Sequence, residues 1–303
     1  MNNIAIGAFP EPLPDETCYS LLCRLAVRHG RITSNQFCQS IFGHQEPLRG
    51  YVFKPFRMKD LQKWFGDQLL LSQMRFGDSH SCYPYYSAFL NPKHSARLCK
   101  CRNGSVLSAG QAKRINRECG FVHHHKQQLW YCPSCVREDF LQYGETCWRR
   151  LPQMPGAIYC PIHKEPFRPS GVNHRDINYQ IIPATYALIH IPEPAFEPGS
   201  IYAERYYRLA KDIAWLLSKG FSVPDGEWLT WNFFEVTGKP INTHLLYEVS
   251  RSSQRRNHFE DYLTNRIMQD SGKDRVDLTV SRQMGILLSI EKTFGTLEKF
   301  YSI

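Results

Sequence analysis

Two near-identical knuckles, Tyr131-Cys132-Pro133-Ser134-Cys135 and Tyr159-Cys160-Pro161-Ile162-His163, lie 28 positions apart in this 303-residue chain. Each reads aromatic-Cys-Pro-x-ligand. Together they give Cys-x2-Cys, 24 intervening residues, and Cys-x2-His. Two residues between ligands is the spacing at which a tight turn aims both side chains at one ion. Three thiolates and one imidazole complete a tetrahedral shell for Zn²⁺, so Cys132, Cys135, Cys160 and His163 are the expected ligands of a structural zinc. The competing reading, two buried Cys pairs and a surface His163, leaves the His at the fourth position of a duplicated knuckle unexplained.

Outward from the knuckles, the chain reads as mainly α with a small zinc-binding module. The expected divisions are an N-terminal helical region at 1–127, the module at 128–168, a Pro- and turn-rich linker at 169–200 with a strand candidate at 186–191, and a C-terminal helical, DNA-binding domain at 201–303. After a Pro-rich start, Asp15 is expected to cap a helix whose face is Cys18, Leu21, Leu22 and Leu25, at the 3.6-residue period. Gly30 stops it. Thr33-Ser34-Asn35-Gln36 is a capping box for a second helix with Phe37, Cys38, Ile41 and Phe42 inward. Helix, short turn, helix is the helix-turn-helix outline. The second helix carries no Lys or Arg, which suits packing or partner contact better than base reading. Further on, Tyr206, Leu209, Ala210, Ile213, Leu216 and Leu217 mark a helix, as do Leu229 to Val236 and the set Val280, Met284, Leu287 and Leu288.

A net charge of +9 points to a polyanionic partner, with nucleic acid first among them. The most basic stretch, 93–117, includes Lys113, Arg114 and Arg117. Arg149 and Arg150 follow Trp148 inside the module, and Arg251, Arg255 and Arg256 form a third cluster. All eight are candidate DNA contacts; solvated helix ends are the alternative for the last three. Eleven Cys in a chain of this length fit a reducing compartment. Cys99, Cys101 and Cys119 with His123, His124 and His125 make either a second metal site or a basic helix with incidental thiols. No apolar run is long enough for a transmembrane helix, and no secretory signal opens the chain.

Catalytic signatures do not accumulate. Four protein ligands close a zinc site, whereas catalysis keeps a position open. His163-Lys164-Glu165 matches the H-x-E of nucleobase deaminases, but their P-C-x-x-C follows it, and here the order is reversed. P-loop, G-x-S-x-G and H-E-x-x-H patterns do not occur. The chain reads as a non-enzyme.

The opening Pro12-Leu13-Pro14-Asp15-Glu16-x-x-Tyr19-Ser20-Leu21-Leu22-x-Arg24-Leu25-Ala26 resembles that of the TniQ/TnsD family of transposition target-selection proteins. So do Tyr131-Cys132-Pro133-x-Cys135, Tyr143-Gly144-Glu145, Trp148-Arg149-Arg150 and Tyr159-Cys160-Pro161-x-His163. The resemblance covers about residues 10–168. It implies a protein that selects an insertion site and recruits the AAA+ ATPase TnsC, and through it the transposase, in the bacterial cytoplasm at the nucleoid. It also implies the same four zinc ligands and a TnsC contact around Pro12, Pro14, Asp15 and Glu16. In the TnsD branch target DNA is bound directly; in the alternative, the TniQ branch, the protein bridges a CRISPR guide-RNA complex to TnsC. A second Cys-x2-Cys knuckle after residue 168, present in some relatives, is absent here.

Overall fold

The computed structural model describes residues 9–30, 34–45, 47–55, 76–102, 109–118, 126–189, 203–219, 224–243 and 278–303. The second metal-site candidate and the cluster Arg251, Arg255 and Arg256 lie wholly or largely outside them. Among the described residues twelve α-helices, three 3-10 turns (Leu48–Val52, Leu151–Gln153 and Asp176–Asn178) and one two-stranded antiparallel sheet form, so the chain is mainly α with a small Cys/His module.

Helix α1 (Cys18–Arg28) buries nearly its whole length. Its cap is Thr17, not Asp15: the Thr17 hydroxyl accepts the Ser20 N–H at 3.1 Å. Asp15 instead adopts φ 57, turning the chain just ahead of the helix. Helix α2 (Ser34–Phe42) turns Phe37, Cys38, Ile41 and Phe42 inward. Short helices α3 (Phe76–Ser79) and α4 (Tyr83–Ser87) precede the basic helices α5 (Pro92–Arg102) and α6 (Ala109–Glu118).

Strand β1 (Gln128–Tyr131) leads into the first knuckle and helix α7 (Pro133–Tyr143). Strand β2 (Arg168–Asn173) returns from the second knuckle and pairs with β1, Tyr131 opposite Arg168 and Trp130 opposite Pro169. The sheet therefore closes the module on both sides of the Cys/His set. Beyond it, Ile177, Ile181 and Leu188 are buried in the main core. Where a strand was expected at 186–191, helical turn α8 (Ala184–Ala187) forms. Thr185 draws the chain in, since its hydroxyl accepts the Thr146 N–H and donates to the Thr146 carbonyl, both at 3.1 Å.

Helices α9 (Ala203–Ser218), α10 (Gly226–Thr237), α11 (Leu278–Phe294) and α12 (Leu297–Tyr301) form the C-terminal layer. The buried face of α9 is the apolar set read from its period, with Asp212 added. One continuous core runs from Cys18 through the module to Phe300. Tyr159 of the second knuckle stacks on Tyr206 of α9 with centroids 5.8 Å apart. Gly156, at φ +76, lets the 3-10 corner of the module approach α11; a Cβ there would collide with Met284 Sδ.

Candidate metal centre and nucleic-acid surface

Cys132 caps α7: its sulfur faces the Cys135 N–H at 3.4 Å, and Pro133 occupies the first helical position, where no donor is required. The second knuckle is a tight turn in which Lys164, at φ 55, returns its N–H to the Cys160 carbonyl at 2.9 Å. The two turns bring Cys132, Cys135, Cys160 and His163 together, with all donor atoms within 4.8 Å of one another.

These separations provide a test of fit. A tetrahedron with metal–sulfur bonds of about 2.3 Å and a metal–nitrogen bond of about 2.0 Å has S···S edges of about 3.8 Å and S···N edges of about 3.5 Å. Cys135 Sγ and Cys160 Sγ are 3.8 Å apart, and His163 Nδ1 lies 3.4, 3.4 and 3.6 Å from the three sulfurs. A disulfide would need about 2.05 Å. The donor set fits a metal ion, and its soft thiolates suit Zn²⁺.

The surroundings support the ligands. Glu138 Oε1 lies 2.9 Å from His163 Nε2, so the carboxylate accepts the ring's other N–H and fixes the tautomer that leaves Nδ1 for the ion. The thiols share protons within the cluster: hydrogen bonds from Cys132 and Cys135 lower the Cys160 thiol, and those two thiols are raised in turn. Glu165, the base of the deaminase-like triplet, is buried and accepts the Ser134 N–H at 2.9 Å, tying the two knuckles together.

The Pro12–Glu16 segment and Trp148-Arg149-Arg150 prove to be two halves of one joint. Backbone bonds run from Thr17 N–H to the Trp148 carbonyl (2.9 Å) and from Arg150 N–H to the Asp15 carbonyl (2.8 Å). Arg150 pairs with Asp15 at 2.8 Å and donates to the carbonyls of Asp78 and Ser81. Arg149 pairs with Asp139 at 2.5 Å and donates to the Pro14 carbonyl. Arg24 bridges Glu16 and Glu145, both at 2.7 Å. Burial raises the Glu16 carboxyl to about 7 against the opposing pull of Arg24.

This joint takes up residues expected at DNA and partner surfaces. Arg150 is 5% exposed and Arg149 is partly buried and paired with Asp139, so both guanidinium groups are engaged internally. Glu16 is fully buried and holds α1 to the module, so it offers no partner surface. Pro14 is exposed and Pro12 half-exposed. Both, with Asp15, rim a cleft of about 640 Å³ whose other walls include Arg28, Tyr143 and Leu217. Arg114 and Arg117 stand exposed on α6, which also carries Lys113. Sequence reasoning missed Arg282, exposed on α11 in a helix otherwise read for its apolar face.

The motifs of this joint and the two knuckles coincide with a family. The TniQ family model matches residues 8–166, more than half the chain, and the protein belongs to the TniQ family. Comparison with curated proteins yields no significant match.

Proposed function

We propose that this protein is a transposon target-site selector that binds attachment-site DNA and recruits a TnsC-type AAA+ ATPase, and through it the transposase. The family match over residues 8–166 carries the reading, because TniQ proteins act in transposition as target selectors or adaptors rather than as enzymes. The net charge of +9 and the exposed Arg114, Arg117 and Arg282 support contact with DNA phosphates. Zn²⁺ held by Cys132, Cys135, Cys160 and His163 serves as a structural staple, supplying folding free energy. The rim formed by Pro12, Pro14 and Asp15 is the proposed ATPase contact.

A TniQ-type adaptor bridging a CRISPR guide-RNA complex to TnsC is the second reading. It is favoured by Leu141 and Ile162, apolar side chains of the module that are 88% and 67% exposed. DNA binding at several salt concentrations separates the two. A preference for the DNA flanking the native insertion site over scrambled DNA, kept at moderate salt, establishes the selector. Weak, equal binding that vanishes with salt establishes the adaptor.

A further inference from the structure

Helix α10 is anchored through Gly226, Leu229, Phe233 and Trp228 and exposes a flank beside them. Gly226, Leu229 and Phe233 face the core, and a Cβ at Gly226 would strike the Phe89 backbone, so α10 starts in direct contact with the end of α4. Positions 227, 230, 231 and 234 fall on the flank beside that buried face, within an arc of about 100° at 3.6 residues per turn. That arc holds Trp231, 59% exposed, and Phe234, 50% exposed. Its other two residues, Glu227 and Thr230, wall a groove of about 540 Å³ whose far walls carry Arg117 of α6 and Arg282 of α11, with Asn91 and Gln283 as neutral hydrogen-bonding groups. Both arginines are exposed; among the described residues Glu227 is the one acid lining the groove, and Glu235 stands exposed one turn beyond Trp231. Arg114, one turn before Arg117, adds an exposed cation on the same helix.

We propose that this groove and the Trp231/Phe234 face together bind an unpaired DNA strand, its phosphates along Arg117 and Arg282 and its bases stacked on the two rings. The charge of the groove selects a polyanion. A duplex keeps its base faces stacked inside, out of reach of side chains on a convex helix, whereas an unpaired strand presents them, and a cationic track beside exposed aromatics is the arrangement that holds such strands without regard to sequence. The inference rests on the DNA-binding reading above and specifies the form of DNA taken at this surface. A selector that holds one strand of a locally opened target would gain orientation as well as affinity.

The test is fluorescence anisotropy of the purified full chain with labelled oligo-dT, oligo-U and a mixed-sequence duplex, together with intrinsic tryptophan emission. Expected are oligo-dT binding that quenches tryptophan emission, a loss of about ten-fold or more in Trp231→Ala/Phe234→Ala with duplex binding unchanged, and weakening of both DNA forms in Arg282→Glu. These positions are exposed, and an unchanged circular dichroism spectrum confirms that the variants fold. Duplex binding without oligo-dT binding, or oligo-dT binding indifferent to the aromatic pair, overturns the inference and leaves the DNA-binding reading standing. Tighter binding of oligo-U than of oligo-dT overturns the assignment to DNA. Failure to bind any of the three overturns both.

Discussion

The module with its N-terminal arm and the C-terminal helical layer share one core but are held by different forces. In the first, polar ties stand out over the apolar core: a Cys/His cluster that fits a metal ion, the chain Glu16–Arg24–Glu145, and the pairs Asp15–Arg150 and Asp139–Arg149. In the second, aromatic rings cluster on the aliphatic faces of α9 and α11. Tyr301 stacks between Trp215 and Trp228 at 5.2 Å from each, and Phe300 meets Phe294 at 5.1 Å and Phe233 at 6.3 Å. Directional ties demand particular residues at particular positions. Aromatic packing accepts many sequences of similar volume. The first region is accordingly dense in recognisable motifs, and the second has only a helical texture.

Removing a ligand should produce the largest effect on this contrast. Cys160→Ser is expected to lose the metal and the tertiary structure of the module, because structural zinc contributes folding free energy directly. Elemental analysis with near-ultraviolet circular dichroism reads both, and a variant that keeps metal and spectrum would refute the ligand assignment. Next is Arg24→Ala, which strands Glu16 in the core. A loss of about 3–5 kcal/mol in urea denaturation is expected; a loss below about 1 kcal/mol would mean that the joint is not what fastens the arm.

Gly156→Ala probes the seam between the two regions. The φ of +76 and the clash with Met284 should together cost about 2–4 kcal/mol. A neutral result would separate the module from α11.

The smallest effect is expected at Asp212, and its sign is opposite. Burial lifts its carboxyl to about 6, while its Oδ1 accepts the Leu297 N–H at 3.1 Å. A folded-state value above the unfolded one means that the fold favours the protonated form. Stability from this group is therefore complete below about 4 and lost as pH rises to about 6. Asp212→Asn should raise stability by about 1–3 kcal/mol at pH 7.5 and flatten the slope between pH 4 and 6 relative to the parent. Identical pH profiles for the two proteins would show that Asp212 is not strained by burial.

Legibility followed the same division. The four donors were readable because ligand spacing is local, and the inward faces of α1, α9 and α11 because apolar period is local. Arg150 read as a DNA contact because its partner Asp15 lies 135 positions away, and a positive charge in a sequence gives no sign of a carboxylate that far off. Arg149 pairs with Asp139 only ten positions away, but the spacing does not announce that pair either, because the chain turns between α7 and Arg149. Asp212 sits in the buried face of α9 for the same reason: its partner, the first amide of α12, is 85 positions on. The turn at Ala184–Ala187 replaced a strand because Thr146, a tertiary neighbour, bonds Thr185. Arg282 had no local signal at all; only the groove it shares with Arg117 marks it.

Metal stoichiometry followed by chelator titration tests the account most directly. The purified chain should carry one zinc ion, released by a strong chelator together with the near-ultraviolet signal of the buried Trp148 and Tyr159. A chain that holds no zinc, or gives it up with its spectrum unchanged, would contradict the central claim that a metal staples the two knuckles of the module together.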